Sequence, residues 1–232
     1  MNQKVSERDV RIAKVHQLRE LWINPYAAQY DKIHTIQQVI DFADTNKELR
    51  DSEVLVPSPY IQISTAGRVM LTRTHGALTF VRLQDETGSI QIMLHKDNWA
   101  IHTQDQGIQK NIGDMSAYKF FEKYVDVGDF IGVKWEVFKT HKGELTIFAP
   151  EFTFLTKAIR PLGDKWHGIG EDAENAYRQR YLDMIFNTDS LQRMQFRSKF
   201  VKTLREFYRS QWFTELETPI LGNAASGAAA RP

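Results

Sequence analysis

The sequence has no cysteine among its 232 residues. That excludes disulfide staples, thiolate zinc sites, iron–sulfur clusters and a cysteine nucleophile. It also has almost no net charge: 30 Lys and Arg stand against 29 Asp and Glu, a formal +1. A polycation that holds phosphate by bulk charge is excluded, whereas a local basic face is not. No apolar run approaches the ~20 residues of a membrane-spanning helix. The first stretch, MNQKVSERDVRIAKVHQLRE, lacks the apolar segment of a signal peptide. The expectation is a soluble cytoplasmic protein with no membrane partner. Familiar catalytic signatures are missing too. There is no GxxxxGK(S/T) loop, no HExxH and no GxSxG, and the seven histidines are scattered.

What is present suffices for a core: 42% of residues are hydrophobic and 25% charged. The length allows one large domain or two smaller ones. Three zones separate by pattern, with boundaries at 1–56, 57–156 and 157–232. In the first, Val10, Val15, Leu18, Leu21 and Trp22 recur at helical spacing, and Asn24-Pro25 is expected to end that helix. A second helix is expected from His34-Thr35, with Ile36, Val39, Ile40 and Phe42 as its apolar set.

Pro57-Ser58-Pro59 opens the second zone, which is rich in β-branched and aromatic residues. Residues 60–64 alternate as a half-buried strand should. Residues 78–83 and 89–93 flank Asp85-Glu86-Thr87-Gly88, a hairpin turn. A polar mixed stretch follows, with a short helix around 116–123. Residues 130–139 and 145–154 then form two strands joined by a turn at His141-Lys142-Gly143. Five strands in Greek-key order, with a helix between the third and fourth, is the order of an OB-fold barrel.

The third zone begins as linker, through Gly163, Gly168 and Gly170. A helix is expected around 172–185 and a longer one from Ser190. In the longer one Phe196, Phe200, Leu204 and Phe207 form a stripe that Val201 and Tyr208 widen. Trp212 to Thr218 reads as a strand stopped by Pro219. The zones carry 8 basic and 9 acidic side chains, 10 and 11, and 12 and 9. The barrel therefore has no positive excess, and any nucleic-acid binding must rest on local stacking and hydrogen bonds.

Strand parity locates such a site. Alternate residues share a face, so Val81, Leu83, Ile90 and Ile92 make an interior set. Phe80 and Gln91 fall on the outer face with Arg82 and Gln84. An exposed aromatic ring can stack a base, and a carboxamide can read a Watson–Crick edge. Glutamine alone suits uracil or, with its amide flipped, cytosine. A guanidinium aimed at uracil O4 removes the ambiguity, because arginine only donates. Arg73, before Thr74-His75-Gly76, is the candidate. On parity alone, an ordinary exposed hydrophobe among polar strand residues reads the same way.

These residues, with the rest of the chain, resemble the N-terminal half of class II lysyl-tRNA synthetases. The resemblance is carried by AGRVMLTRTHGALTFVRLQDETGSIQIML, GELTI, TKAIRPLGDKWHG, YRQRYLD and TELETPIL…GAAARP. It implies an OB-fold anticodon-binding domain with N-terminal helices, followed by the α-helical start of an α+β catalytic domain. It implies that Phe80 stacks an anticodon base, that Gln91 and Arg73 recognise the central uridine, and that Glu144 makes a further contact to the anticodon loop of tRNA(Lys). The long helix through Pro219 resembles motif 1, which builds the homodimer interface in the family; Phe196, Phe200, Phe207 and Pro219 are its candidate residues. The family usually has glycine before the aromatic that enters the motif 1 strand. Here Trp212 precedes Phe213, and a positive φ is costly for tryptophan.

The family's ATP-binding motifs 2 and 3 are expected beyond Pro232. ATP and Mg2+ are therefore expected only with the full-length parent, and this chain by itself is expected not to aminoacylate. The alternative is a stand-alone OB-fold RNA-binding module without ligase activity. The abrupt stop within ARP favours the first reading.

Overall fold

The computed structural model describes residues 6–45, 63–96, 100–103, 107–162 and 173–220. The expected strand start at 60–62, the Pro57–Pro59 boundary and the linker glycines lie outside them. The chain divides into two compact units, residues 1–162 and 163–232.

The first unit begins with helix α1 (Glu7–Glu20). Ser6 caps it, its hydroxyl accepting from the Asp9 amide. The helix ends at Glu20, earlier than the expected stop at Asn24-Pro25. The Trp22 amide donates to the Arg19 carbonyl (3.0 Å) and the Ile23 amide to the Leu18 carbonyl (2.9 Å). This is a Schellman closure with Trp22 in the left-handed region, at φ 59°. Trp22 is exposed there, and so is Val10 in the first turn, contrary to the expected apolar face, while Arg11 is buried. Arg11 Nη1 donates to the carbonyls of Val127 and Ala158, each at 3.0 Å. Helix α2 (Ile36–Thr45) carries a reciprocal capping box. The Gln38 amide donates to Thr35 Oγ1 and the Thr35 amide to Gln38 Oε1.

The long strand β1 (Ile63–His75) then pairs antiparallel with β2 (Leu78–Gln84), and β2 with β3 (Ser89–His95). The stretch read from sequence as polar and mixed holds four short strands: β4 (Ala100–Thr103), β5 (Gly107–Gln109), β6 (Asn111–Ile112) and β7 (Met115–Ser116). Helix α3 (Ala117–Tyr124) follows, capped by Ser116. Strands β8 (Phe130–Lys139) and β9 (Leu145–Thr156) complete the unit. β8 pairs with β1 and β9 antiparallel, and β9 pairs parallel with both β3 and β4. The β3–β9 pairing joins the five long strands into a ring in OB-fold order, 1-2-3-5-4-1. β4 was missed because a parallel strand buried against a neighbour shows no alternation.

The interior is filled as parity predicts. Val81, Leu83, Ile90 and Ile92 are buried, as are Val69, Ile131, Val133 and Ile147. Helix α3 contributes Phe120 and Phe121, whose rings lie 6.3 and 5.4 Å from Phe152. Residues 21–35 lie along the outside. The Ala27 amide donates to the Leu155 carbonyl (2.7 Å) and the Lys157 amide to the Pro25 carbonyl (3.0 Å). The Tyr30 ring lies against Gly132, where a Cβ would stand 2.3 Å from Cζ; only glycine permits that approach.

Lys157 belongs to this unit, although its sequence position reads as the start of a linker. Its side chain is wholly buried. Nζ donates to the Tyr124 carbonyl (2.9 Å), Asp126 Oδ2 (2.5 Å) and Asp129 Oδ2 (2.6 Å). Lys14 meets Asp126 from α1 (2.7 Å). Burial works to raise both carboxyl pKa values. For Asp126 the hydrogen bonds and charges of Lys14 and Lys157 outweigh burial and hold it below the usual range. For Asp129 burial prevails over Lys157 and the carboxyl sits above it.

In the second unit, the helix expected at 172–185 is two helices, α4 (Ala173–Arg178) and α5 (Arg180–Phe186), broken at Gln179. Helix α6 (Thr188–Ser210) is capped by Asn187. It ends in a second Schellman closure: the Phe213 amide donates to the Tyr208 carbonyl and the Trp212 amide to that of Arg209, each at 3.1 Å. Trp212 takes φ 66° and is 95% exposed. The strand expected at Trp212–Thr218 is not formed. Residues 213–219 have no regular structure and no strand partner, and a strand exists only by pairing. The segment is held to α6 by Glu215, which accepts from Arg205 Nε (2.9 Å) and pairs with Arg209 (3.3 Å). Among the described residues, no helix is long and apolar enough to cross a membrane.

Candidate nucleic-acid interface

The β2–β3 hairpin carries the site, and its turn is built by one carboxylate. Asp85 Oδ1 accepts from the amides of Thr87 (2.7 Å) and Gly88 (3.0 Å) and from Thr87 Oγ1 (2.7 Å). Its Oδ2 accepts from Lys32 Nζ (2.8 Å) and from the Ile36 amide at the start of α2 (2.9 Å). Burial works to raise the Asp85 pKa, but these hydrogen bonds, led by Lys32, outweigh it and hold the carboxyl below the usual range. One residue thus fixes the turn, the strand register and the docking of α2.

That register sets two rows on the outer face. Arg73 on β1 opposes Phe80 on β2, which opposes Met93 on β3. Leu71 opposes Arg82, which opposes Gln91, which in turn opposes Thr146 on β9. Arg73 is exposed and Phe80 half-buried. The Phe80 ring lies 6.5 Å from that of His75, tilted by 58°. Gln91 lies diagonal to Phe80 rather than opposite it, a separation of ~7–8 Å between Cα atoms. Arg73, Phe80 and Gln91 therefore share one face, as strand parity and the hairpin predict.

The structure orients the carboxamide. Gln91 Nε2 donates to Thr146 Oγ1 (3.0 Å), and Thr146 Oγ1 donates to the Glu144 carbonyl (3.1 Å). With the hydroxyl proton used on that carbonyl, Thr146 can only accept from Gln91. The Gln91 amide nitrogen is thereby turned to the barrel and its oxygen remains as an acceptor.

Glu144 lies in the β8–β9 turn, one residue before β9 rather than in the strand. Its amide donates to Thr140 Oγ1 (3.1 Å). Its carboxylate is paired with Arg82, which sequence reasoning did not single out. Arg82 carried the parity signal of Phe80, but the identity of its partner depends on how the β8–β9 turn folds over β2. Thr146 was likewise invisible, because its role is to orient another side chain.

In the second unit, Phe196, Phe200 and Phe207 lie exposed on α6, with the Phe196 and Phe200 rings stacked at 6.5 Å. Pro219 is exposed in the segment after α6. Among the described residues, no group of three or more His, Asp or Glu side chains is arranged to hold a metal ion.

Comparison with known proteins agrees with this division. A family profile described as an OB-fold nucleic acid binding domain matches residues 63–155. A second, tRNA synthetases class II (D, K and N), matches residues 172–232. The lysine–tRNA ligase of Thermosipho melanesiensis is 40% identical over 227 residues, covering 97% of this chain and 41% of that protein. That of Carboxydothermus hydrogenoformans is 40% identical over 223 residues, covering 96% and 40%. That of Trichormus variabilis is 39% identical over 235 residues, covering 98% and 38%. The chain spans about two fifths of the length of these relatives. Residues 63–155 thus match the OB-fold nucleic acid binding domains and residues 172–232 the class II (D, K and N) tRNA synthetases, and the chain as a whole is similar to lysine–tRNA ligases over about two fifths of their length.

Proposed function

We propose that this chain is the anticodon-reading part of a lysyl-tRNA synthetase, the ligase that uses ATP to join lysine to tRNA(Lys). The observation that carries the reading is the shared outer face of Arg73, Phe80 and Gln91, with the Gln91 amide already oriented. Phe80 stacks the central base of the anticodon, a contact worth ~1–3 kcal/mol. Gln91 offers its oxygen to uracil N3–H, where cytosine has only a lone pair. Arg73 donates to uracil O4, where cytosine has an amino group. Glu144 accepts from a further base of the loop. The near-neutral charge of the barrel suits a site that works by stacking and hydrogen bonding.

The exposed stripe Phe196, Phe200 and Phe207, with the segment to Pro219, packs against a second copy in the complete enzyme. In that enzyme, attack on ATP would need Mg2+ and cationic groups to stabilise a pentavalent phosphate. None can be named among this chain's residues, so the purified chain should give no lysyl-tRNA; measurable product would overturn that expectation. A stand-alone RNA-binding module would have no need of a class II synthetase segment, and the match at 172–232 favours the ligase parent.

The binding reading is tested by titrating an anticodon stem–loop with central uridine against the parent chain and its Phe80→Ala and Gln91→Ala variants. Each variant should weaken binding, Phe80→Ala by ~1–3 kcal/mol. Arg73→Ala should shrink the preference for central uridine over cytidine by a comparable amount. Unchanged affinity in both Phe80→Ala and Gln91→Ala would remove the site assignment.

A further inference from the structure

Among the described residues, those with positive φ are five glycines and three tryptophans, Trp22 (59°), Trp135 (150°) and Trp212 (66°). Asparagine and aspartate, which tolerate this region best after glycine, are absent from that set. Tryptophan supplies only five of the 232 residues, and the other two, Trp99 and Trp166, lie outside the described residues. Every described tryptophan therefore stands where a residue with a Cβ is strained.

Each site calls for glycine through its own local geometry. Trp22 and Trp212 occupy the residue after the helix cap in the Schellman closures of α1 and α6, the position that glycine takes most often. Trp135 lies where the β8–β9 register shifts between Lys134 and Glu136, and glycine in a strand commonly marks such an irregularity. The indoles also lack the usual reasons for a tryptophan. Trp22 is 76% exposed and Trp212 95%. Trp135 buries its Nε1–H with no hydrogen-bond partner, although a buried indole normally finds one.

Three segments far apart in the chain share one scarce residue type at glycine sites, and a shared codon would account for all three. UGA is read as stop, tryptophan or glycine in different genetic codes, and it differs from the glycine codon GGA by one base. We infer that the gene holds UGA at positions 22, 135 and 212, and that the host reads it as glycine through a glycine-charged tRNA whose anticodon pairs with UGA. The protein made in that host then carries glycine at all three positions. The inference rests on backbone geometry and is independent of the anticodon reading of the barrel.

The test begins with the gene and the protein of the host. Sequencing should find UGA at all three positions, and mass spectrometry of the native protein should find glycine in the peptides that span them. UGG at any of the three, or tryptophan in any of those peptides, overturns the inference. The full 232-residue chain supplies a structural arm. One variant combines Trp22→Gly, Trp135→Gly and Trp212→Gly, and a second places alanine at the same positions. Melting followed by circular dichroism should put the glycine chain about 3 °C or more above the parent. The alanine chain should gain less, because alanine keeps a Cβ at positive φ. A glycine chain that melts no higher than either comparison chain overturns the assignment of these positions to glycine.

Discussion

Replacing Lys157 with methionine keeps the aliphatic stem and removes one charge from the centre of a buried network. The lost contacts are the hydrogen bond to the Tyr124 carbonyl and the pairs with Asp126 and Asp129. At an effective dielectric of ~20, each pair is on the order of 5 kcal/mol of gross attraction, most of it offset by desolvation in the intact network. Removing only the cation leaves the desolvation in place. Asp126 keeps Lys14 as a partner, at 2.7 Å. Asp129 keeps only the amides of Asp126 and Ala158, each at 2.8 Å, and its side chain has no exposure. The cost should therefore be about 3–5 kcal/mol, the range for a buried pair with one partner removed. With a urea m-value of ~2 kcal/mol per molar, the barrel's midpoint should fall by about 2 M.

The pH dependence has a definite sign. The Asp129 carboxyl is already raised in the fold, so its ionisation opposes folding as pH rises past its unfolded value. Without Lys157 it rises further. The loss should be largest near neutral pH and should shrink on acidification, as Asp129 takes up a proton. Adding Asp129→Asn to Lys157→Met should recover about half of the lost stability or more, because the uncompensated charge is gone. Urea unfolding followed by circular dichroism at pH 7 and near pH 4 measures all three chains. A loss under about 1 kcal/mol, or one equal at both pH values, would refute the reasoning.

Two further perturbations probe the frame around the site. Asp85→Asn should destabilise the barrel by about 1–3 kcal/mol, since the Lys32 pair and a turn acceptor weaken together. Because the Asp85 carboxyl is held low, its contribution in the parent is present above the unfolded pKa and lost as pH falls through the folded one. The parent and Asp85→Asn should therefore converge in acid, and a gap constant with pH would contradict this. At Trp212, in the left-handed region and 95% exposed, glycine should be neutral or stabilising by up to about 1 kcal/mol, after the greater chain entropy of glycine offsets part of the relieved strain. Isoleucine there should destabilise the end of α6. Thermal melts that rank isoleucine above glycine would show that the closure does not set the stability of that end.

Much of the interface was legible from strand parity. The turn residues Asp85 to Gly88 pin the hairpin, and a pinned hairpin decides which side chains share a face. Phe80, Gln91 and the interior set follow from that alone. Arg73 joins them because β1 continues to His75 and the short turn places it opposite Phe80. The strand start at Leu145 was legible, but the ion pair of Glu144 with Arg82 spans 62 positions, so no local pattern could announce it. The apolar face of α1 failed at Trp22 because a Schellman closure, not the proline, ends the helix, and at Val10, which lies exposed in the first turn.

The sequence by itself determined the periodicities, the capped helix starts, the hairpin turn and the alternation that separates core from outer face. These depend on neighbours a few residues apart, where backbone geometry leaves few choices. Only the tertiary structure decided which carboxylate Arg82 meets, how Thr146 turns the Gln91 amide, and that Lys157 is a buried cation rather than a linker residue. Each of these is a contact between segments far apart in the chain. Its energy comes from desolvation and hydrogen-bond geometry, which exist only once the ring of strands has closed. The strand expected at Trp212–Thr218 marks the same limit: a strand-like composition can be read locally, but a sheet needs a partner.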